Sequence, residues 1–523
     1  MAFYVTMNSF AGKSVLVGVG PVSPEDVVAV ARQGAAVELT EDALAAIDRA
    51  RGVIESLAAA TTPVYGVSTG FGALATRHIT PDLRTQLQRS LVRSHAAGSG
   101  PEVEREVVRA LMLLRLSTLA TGHTGVRRET AELMAALLSA GITPVVREYG
   151  SLGCSGDLAP LAHCALALMG EGEVRDAEGT LMPAAKALAA VGLVPVELRE
   201  KEGLALINGT DGMLGMLVLA LADLRQLLKT ADIAAAMSVE GQLGTDRVFA
   251  AELQALRPHP GQAASAANLV AVMAGSGVVA SHRGPDCNRV QDAYSLRCSP
   301  QVHGAARDTV EHAASVATRE LASAIDNPVV IGDRVESNGN FHGAPVAYAL
   351  DFLAIVVADA ASISERRTDR FLDTARNHGL PAFLAADPGV DSGHMIAQYT
   401  QAAIVSELKR LAAPASVDSI PSSAMQEDHV SMGWSAARKL RRSIDGLTRV
   451  LAIEMFTAAR ALDLRAPLRP SPATAAVVAL LRSHGVSGPG PDRYLSPEIE
   501  TAVELVASGA MLTAVEDTIG ALQ

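Results

Sequence analysis

The most informative stretch of the sequence reads Gly150-Ser151-Leu152-Gly153-Cys154-Ser155-Gly156-Asp157-Leu158-Ala159-Pro160-Leu161-Ala162-His163. Its simplest interpretation is a glycine-rich turn that leads into a helix, with Ser155 or Asp157 as the N-cap. A serine-hydrolase elbow is a second interpretation. That motif needs Gly-x-Ser-x-Gly, and Asp157 stands where the last glycine belongs.

A third interpretation is a backbone that modifies itself at Cys154-Ser155-Gly156. The nitrogen of a glycine has no neighbouring Cβ to hinder it, so in a strained turn it can reach the carbonyl two residues earlier. Loss of water from the resulting ring and from the serine side chain leaves an exposed methylidene electrophile. A helix beginning near Asp157 would direct its positive end at that ring. Taken alone, the triplet favours the plain turn.

The composition around this stretch predicts a large helical protein. The 523 residues are 49% apolar and 19% charged, against about 25% charged in typical soluble domains. This excludes disorder for most of the chain, since disorder needs low hydrophobicity and high charge. Aromatic residues make up only 3%, so the core must consist of aliphatic side chains and alanine, the best helix former.

The charge balance and the cysteines exclude several classes of function. The net charge is −12 and no basic run suggests nucleic-acid binding. The best membrane candidate, 258–282, is too rich in Ala, Ser, Gly and Asn to span a bilayer. No secretion signal opens the chain. The four cysteines form no CxxC pair, which favours a reducing cytoplasm. The sequence contains no HExxH motif either, so it gives little support to a metal site.

Hydrophobic periodicity indicates where the elements lie. Residues 1–60 are predicted as a small mixed region with Ser23 and Thr40 as helix N-caps, and 174–200 as a hairpin. Apolar repeats at helical spacing predict long helices over 101–120, 213–237, 345–366 and 440–462. Their apolar faces are too broad for one chain, which indicates packing against sister subunits.

The stretch around Ser155 resembles the signature of the aromatic amino-acid ammonia-lyase and aminomutase family. Members of that family build a methylidene-imidazolone (MIO) group from Ala-Ser-Gly. Here Cys154 replaces the alanine, while Ser155 and Gly156, which carry the chemistry, are present. Because the first residue contributes mainly its carbonyl carbon, the resemblance implies an MIO group formed from these three residues. It implies no metal and no dissociable cofactor.

Two further motifs are similar to catalytic segments of the same family. Tyr65-Gly66-Val67-Ser68-Thr69-Gly70-Phe71-Gly72 resembles an inner lid loop whose tyrosine removes the β-proton. An unperturbed tyrosine has a pKa of about 10, so we expect the site to lower the pKa of Tyr65. Asn208-Gly209-Thr210 is similar to a turn whose asparagine contacts the MIO and the substrate carboxylate, although Asp211 follows where many members have Gln.

Two more segments resemble parts of the substrate pocket. Gln291-Asp292-Ala293-Tyr294-Ser295-Leu296-Arg297-Cys298 is similar to a second lid. The resemblance implies that Arg297 pairs with the substrate carboxylate, Tyr294 lies near the MIO and Gln291 lines the pocket. In Asn338-Gly339-Asn340-Phe341-His342-Gly343 it implies that Phe341 packs on the substrate ring. Considered alone, Arg297 would form a surface ion pair and Phe341 would belong to the core.

Two positions bear on the substrate. Ser94-His95 resembles the pattern of the histidine-specific members, where phenylalanine-specific members usually carry an apolar pair. A neutral His95 can donate to or accept from an imidazole, although a lone histidine is more often structural. Glu427 resembles a glutamate that faces the substrate imidazole. The alternative is a capping cluster at the start of a long helix. Both interpretations can hold for different residues, with Glu427 in the pocket and Asp428 at the cap.

The resemblance therefore implies an ammonia-lyase that converts L-histidine into trans-urocanate and ammonia, the first step of histidine degradation. A tyrosine or phenylalanine ammonia-lyase or 2,3-aminomutase of the same family is the nearest alternative. More distant ones are an inactive helical assembly protein and a metal-dependent hydrolase built on Asp428 and His429.

The fold that the resemblance implies is mostly α. It is a long-helix bundle of the fumarase/aspartase-like lyase type, with a smaller N-terminal part that bears the MIO. We expect two domains, an N-terminal domain that bears the MIO, 1–210, and a C-terminal helical bundle, 211–523. The expected assembly is a cytoplasmic homotetramer whose active sites are shared between chains, with a small amino acid as ligand and neither nucleic acid nor membrane as partner.

Overall fold

The structure is a computed structural model that describes residues 14–60, 63–284, 287 and 290–523. Helices account for 59% of these described residues, and the strands are two to four residues long. The predicted mostly α fold is therefore confirmed.

The N-terminal part mixes short strands with helices of moderate length. Its elements are β1 (Ser14–Val17), α1 (Pro24–Arg32), β2 (Ala36–Leu39), α2 (Glu41–Ala59), α3 (Arg84–His95), β3 (Ser99–Glu102), α4 (Arg105–Ala120), α5 (Arg128–Ser139), β4 (Thr143–Pro144), β5 (Arg147–Tyr149), α6 (Leu158–Leu168), β6 (Glu173–Arg175), β7 (Leu181–Pro183), α7 (Ala184–Ala190) and α8 (Glu202–Ile207). Strand β1 pairs with β2 in parallel, β3 with β5 antiparallel, and β4, β6 and β7 form an antiparallel sheet. The hairpin predicted within 174–200 corresponds to β6 and β7, with β6 beginning one residue earlier.

Local sequence signals predict most, but not all, of the helix starts here. Ser23 forms a capping box with Asp26 at the start of α1. Thr40 occupies the N-cap position of α2, but its hydroxyl donates to Asp42 and to the Val17 carbonyl and does not cap the helix amides. The helix expected from residue 101 begins only at Arg105, because residues 99–102 pair with β5 as strand β3.

The C-terminal part contains the long helices. Its elements are α9 (Asp211–Gly241), α10 (Ala251–Ala255), α11 (Pro260–Met273), α12 (Gly277–Ala280), α13 (Tyr294–Arg297), α14 (Ser299–Leu321), β8 (Val329–Ile331), β9 (Arg334–Glu336), α15 (Ala344–Leu372), α16 (Met395–Leu411), α17 (Gly433–Leu464), α18 (Pro472–Ser483), α19 (Ser496–Ala507) and α20 (Ala510–Ile519). Strands β8 and β9 form a two-stranded antiparallel ribbon.

The bundle is built around α9, α14, α15 and α17, which pack on one another. Alanines line many of these contacts, so the helices can approach closely where few aromatic side chains are present. Helix α4 of the N-terminal part also packs on α9, and one hydrophobic core runs across residue 210. Helix α9 begins at Asp211, beside the predicted boundary, and the division into two domains stays a prediction.

One helix of the described residues, α15, is long and apolar enough to cross a membrane by length and composition. Of its most apolar window, 61% is buried inside the structure, and α14, α16 and α17 pack against it. The region 258–282 instead divides into α11 and α12. The apolar character of α15 is therefore that of a helix at the centre of a bundle.

A row of large side chains on α15 is nevertheless exposed. Tyr348, Phe352 and Ile355 are 60%, 45% and 44% exposed, and their spacing places them on one face of the helix. The T-shaped contact of His312 with Phe352 covers part of this row. The exposed face, together with the buried opposite face, is what we expect of a helix that also packs against another subunit.

Candidate active site

The turn that carries Ser155 lies between β5 and α6 and is held against the Asn208 turn. The Ser155 hydroxyl donates to Asn208 Oδ1 at 2.6 Å, and the Asp157 amide donates to the Gly209 carbonyl at 2.7 Å. Gly156 has φ +81°, and a Cβ there would lie 2.0 Å from the Gly209 oxygen. Only glycine therefore fits at this position. Helix α6 begins at Leu158, so its N-terminus faces this turn as predicted.

Asp157 has a role that its position in the sequence does not reveal. It precedes α6, yet its side chain does not cap that helix. Its carboxylate accepts the Ser151 hydroxyl at 2.9 Å and the amides of Gly212 and Met213 at 3.0 and 2.9 Å, and so caps α9. Burial raises the pKa of Asp157 to about 7. The Asp157 side chain thus connects the Ser155 turn to the start of helix α9.

Replacement of Asp157 by alanine should weaken both the fold and the turn. The change leaves the Ser151 hydroxyl and two buried amides without their acceptor, which costs about 2–3 kcal/mol of the free energy of unfolding. We also expect fewer chains to form the ring that the sequence predicts from Cys154, Ser155 and Gly156, as measured by intact mass. Asp157→Asn is the matched control, because an amide oxygen still accepts from the α9 amides. Equal losses in both variants would contradict a hydrogen-bonding role.

Arg115 is a second residue that sequence analysis missed. It is fully buried on α4, and its guanidinium donates to the carbonyls of Asn208 and Ile325, the latter at 2.6 Å. Asp211 Oδ2 lies 3.5 Å from the same group. Arg115 therefore holds the Asn208 turn from below. Its position in the middle of an otherwise apolar helix could have identified Arg115 as a buried residue with a structural role.

Four of the predicted site residues come together above the Ser155 turn. The negative charge of Glu427 acts on the pKa values of Tyr65, His95 and Cys154, which places the carboxylate within reach of all three. Burial, with Glu427 as the next cause, raises the pKa of Cys154 to about 12. Cys154 is therefore a neutral thiol at pH 7, and Glu427 faces three groups from three separate segments.

Tyr65 does not have the lowered pKa that its predicted role requires. Its hydroxyl oxygen accepts the Gly72 amide at 3.3 Å. Burial raises its pKa, and the negative charges of Glu427 and Asp326 act in the same direction. In the single chain Tyr65 is thus a protonated phenol. The expectation of a lowered pKa is wrong for the chain alone, because the charges that act on the phenol from the described residues are negative.

His95 lies at the end of α3 in a defined protonation state. Burial lowers its pKa, so the ring is neutral at pH 7. Its Nδ1 lies 2.9 Å from the Leu91 carbonyl, which can only accept, so the proton is assigned to Nδ1. Nε2 is therefore an acceptor. Ser94 is exposed and its hydroxyl also donates to the Leu91 carbonyl, at 3.0 Å, within its own helix.

The segment that carries Glu427 is attached to the Ser155 turn. The Ser422 hydroxyl donates to Glu427 Oε2 at 2.7 Å. Further along, the Ser431 hydroxyl donates to the Gly153 carbonyl at 3.2 Å. Helix α17 begins at Gly433 after Met432, without a side-chain cap. The idea that Asp428 caps this helix is therefore wrong, because the helix starts several residues later.

Phe341 lies half-buried in the loop that precedes α15. The end of this loop is next to the same site, since a Cβ on Gly343 would lie 2.5 Å from Met213 Sδ and 2.9 Å from Ser431 Oγ. Met213 is in the first turn of α9. The structure thus places the Phe341 loop beside the segment that follows Glu427.

The second predicted lid is at the other end of the bundle. The Arg367 guanidinium donates to the Ser295 carbonyl at 3.4 Å and to Glu454 at 2.5 Å, and Ser238 also donates to Glu454. Ser238 lies near the far end of the 31-residue helix α9, which at 1.5 Å per residue is about 40 Å from Asp211. Three predicted site residues belong to this lid, Gln291, Tyr294 and Arg297. Within one chain they therefore lie far from Ser155.

The Arg297 guanidinium nonetheless retains a hydrogen-bond donor that is available to another molecule. Its guanidinium lies over the Tyr294 ring, 4.7 Å from the centroid. Its Nε is buried and makes no hydrogen bond within the described residues. Tyr294 is 72% exposed and Gln291 is exposed beside it. A buried donor without a partner, next to an exposed aromatic ring, is typical of a surface that another molecule completes.

The cysteines and acidic residues offer no other centre within the described part of the chain. All four cysteines are free. No group of three or more His, Cys, Asp or Glu side chains in these residues could hold a metal ion. The hydrolase interpretation based on Asp428 and His429 therefore lacks a third ligand among them.

Comparison with known proteins assigns this arrangement to a family. A family profile described as aromatic amino acid lyase matches residues 22–483. The chain belongs to the aromatic amino acid lyase family. A histidine ammonia-lyase of Streptomyces avermitilis is 67% identical over 510 residues, covering 97% of this chain and 99% of that relative. A histidine ammonia-lyase of Sorangium cellulosum is 52% identical, covering 96% and 99%.

Solved structures of aromatic amino acid lyase relatives share the fold. A tyrosine aminomutase from Streptomyces globisporus superimposes with a TM-score of 0.92 at 39% identity, covering 98% of this chain and all of that one. A histidine ammonia-lyase from Trypanosoma cruzi gives 0.88 at 38% identity, covering 97% and 96%. The chain is thus a carbon–nitrogen lyase of helical-bundle architecture.

Proposed function

We propose that this lyase eliminates ammonia from L-histidine to give trans-urocanate, the first step of histidine degradation. The observation that carries the proposal is the convergence of His95 and Glu427 above the Ser155 turn. Relatives that are 67% identical over nearly the whole chain are histidine ammonia-lyases. Among alternatives in the same family, a tyrosine aminomutase is a structural neighbour at 39% identity.

The proposed prosthetic group is an MIO formed from Cys154, Ser155 and Gly156. The residues fit this proposal, because the Ser155 hydroxyl is held by Asn208 at 2.6 Å and Gly156 has the positive φ and the close backbone approach that only glycine tolerates. An MIO supplies an electrophile that makes the substrate amine a better leaving group. The positive end of α6, which begins at Leu158, would favour electron-poor character in a ring formed at this turn.

The remaining chemistry belongs to ordinary side chains of the protein. We assign removal of the β-proton to Tyr65 Oη. Asn208 and Arg297 would fix the carboxylate, and orientation of this kind supplies up to about 7–11 kcal/mol in ideal cases. A second chain that brings Arg297 to the site also supplies positive charge, which offsets Glu427 and Asp326 and lowers the pKa of Tyr65. Tyr294 and Gln291 would arrive with Arg297.

Recognition of the ring follows from two acceptors. His95 Nε2 accepts because its Nδ1 proton is used on Leu91. The carboxylate of Glu427 also only accepts. A neutral imidazole has a single N–H, whereas an imidazolium has two, so this pair of acceptors suits the protonated ring of histidine and leaves a phenyl ring without partners. Phe341 would pack on the same ring.

Replacement of Glu427 by glutamine should raise the KM for histidine. The change removes a charged hydrogen bond of about 1.5–3 kcal/mol, which corresponds to roughly 10- to 150-fold. Steady-state kinetics with histidine, and with phenylalanine as an uncharged comparison, would measure the effect. Asp428→Asn is the matched control, since that neighbour is exposed. Equal effects of both variants would contradict a direct contact of Glu427 with the ring.

We further propose a homotetramer that acts in the cytoplasm. Four free cysteines suit a reducing compartment. The exposed row Tyr348, Phe352 and Ile355 offers an apolar contact surface. The distance between Ser155 and Arg297 within one chain supports a complete site that takes them from different chains.

Mixing two inactive variants should therefore restore activity. Ser155→Ala and Arg297→Ala chains, co-expressed in equal amounts, would form sites of which about a quarter combine an intact Ser155 with an intact Arg297. Turnover of the mixture is compared with that of each variant alone, and size-exclusion chromatography with light scattering reports the mass of the assembly. A mixture no more active than its parents would show that both residues act within one chain.

The overall proposal is tested by adding L-histidine to the purified protein with a chelator and following the absorbance of urocanate in the near ultraviolet. A steady rise is expected. Tyrosine and phenylalanine are assayed in parallel, with chromatographic analysis of the products. Formation of a β-amino acid would identify an aminomutase, and a flat trace with histidine would overturn the assignment.

A further inference from the structure

Two histidines that no step above uses contact each other at the edge of the site. His342 Nε2 and His429 Nδ1 are 3.2 Å apart, although the residues are 87 positions apart in the chain. The ring centroids are separated by 5.3 Å and the planes are inclined by 23°. One ring nitrogen therefore donates to the other, which requires that at least one of the rings be neutral.

The two histidines lie next to residues that we assign to the ring pocket. His342 directly follows Phe341, and His429 lies two residues after Glu427. The two imidazoles thus join the segment that carries one proposed wall of the ring pocket to the segment that carries the other. Each segment also has an attachment of its own. Asn338 Nδ2 donates to the Asp326 carbonyl, and the Met432 amide donates to the Leu152 carbonyl, both at 3.0 Å.

We propose that His342 and His429 are positioning residues that fix the separation between Phe341 and Glu427, and hence the fit of the pocket to the substrate ring. The inference rests on the proposed function. His429 is exposed and His342 half-buried, so neither residue is needed to fill the core. The pair acts through its neighbours and touches no reacting atom.

The local backbone explains why such a connection is needed. Ser423, Ala424 and Met425 have φ values of 50°, 52° and 69°, a left-handed run that is unfavourable for residues other than glycine. This turn ends two residues before Glu427. A segment that contains unfavourable backbone can relax unless contacts on both sides hold it. The His342–His429 hydrogen bond is such a contact on the side of the substrate ring.

The test is a double-mutant cycle with His342→Ala, His429→Ala and the double variant, assayed with chelator present. Each single variant should raise the KM for histidine about tenfold, the factor that corresponds to one hydrogen bond, with kcat within about threefold. Because both changes remove the same contact, the double variant should be no worse than either single one. Intact mass should show the same extent of modification as the unchanged protein.

Conservative variants separate positioning from a merely structural role. Glutamine at 342 places an amide nitrogen near the site of Nε2, and asparagine at 429 places an amide oxygen near the site of Nδ1. His342→Gln combined with His429→Asn should therefore recover most of the lost KM. His484→Ala, a change at an exposed histidine on the end of α18, serves as the control and should leave KM unchanged.

Amide hydrogen exchange of 422–430 tests the contact without reference to turnover. Both alanine variants should speed exchange there to the same extent. Additive effects on KM, a failure of the amide pair to rescue, or unchanged exchange would overturn the inference. If the unchanged protein does not act on histidine while the coupled exchange persists, the proposed function fails and the structural connection stands.

Discussion

The Ser155→Ala variant is expected to lose at least about 10³-fold in kcat with histidine, because removal of a group that acts covalently abolishes the step it serves. The proposed MIO takes its methylidene carbon from this serine, and alanine has no hydroxyl to lose as water. The structure supports normal folding of the variant, since Ser155 is half-buried and its hydroxyl donates a single hydrogen bond, to Asn208.

Intact mass provides the decisive measurement for this variant. Ring formation removes two waters from each chain, so the unchanged protein should be lighter than its sequence by that amount and Ser155→Ala should not be. Cys154→Ala is the matched control. The first residue of the triplet contributes its carbonyl, so this variant should still become modified. Full activity of Ser155→Ala would remove the basis of the proposed mechanism.

The Tyr65→Phe variant should lose about 10²- to 10⁴-fold in kcat while keeping its modification, which is the range found for loss of a general base. The only atom removed is the phenol oxygen, which accepts the Gly72 amide at 3.3 Å. The KM for histidine should change little, because recognition of the ring and of the carboxylate is assigned to other residues.

The pH dependence of the unchanged protein adds a second test of Tyr65. Burial raises the pKa of this phenol in the single chain, and the proposed Arg297 of a second chain lowers it in the assembled site. The base is the ionised form, so kcat/KM should increase as the pH rises until the phenol is fully ionised. Tyr65→Phe should lose that increase. Tyr149→Phe, a change at the exposed tyrosine that ends β5, is the control. A Tyr65→Phe variant with nearly normal kcat would transfer the role of base to another group.

The long helices could be predicted from the sequence because each carries a repeating apolar pattern. Helix α17, for example, has its buried face at the predicted spacing. Helix starts were less predictable where another element intervened. Strand pairing moved the start of α4 from residue 101 to Arg105, since a hydrogen bond to a distant strand leaves no local sequence signal.

The site was predictable where a motif is contiguous and unpredictable where it depends on tertiary contact. The Ser155 turn and the Asn208 turn were recognised separately, and the structure joins them by a hydrogen bond. That Asp157 caps α9 and Arg115 supports the Asn208 turn could not be predicted, because each acts on residues more than 50 positions away. Such contacts exist only once the chain has folded.

The length of α9 implies an order of maturation for the proposed enzyme. Everything assigned to ring closure, from Ser155 to Asn208, is gathered at one end of this 31-residue helix, whereas the arginine assigned to the substrate carboxylate is at the other. Under the proposed function, a newly synthesised chain could therefore form its electrophile while still alone. The proposed pocket is complete only in the assembly, so dilution below the assembly threshold is expected to yield modified but inactive subunits.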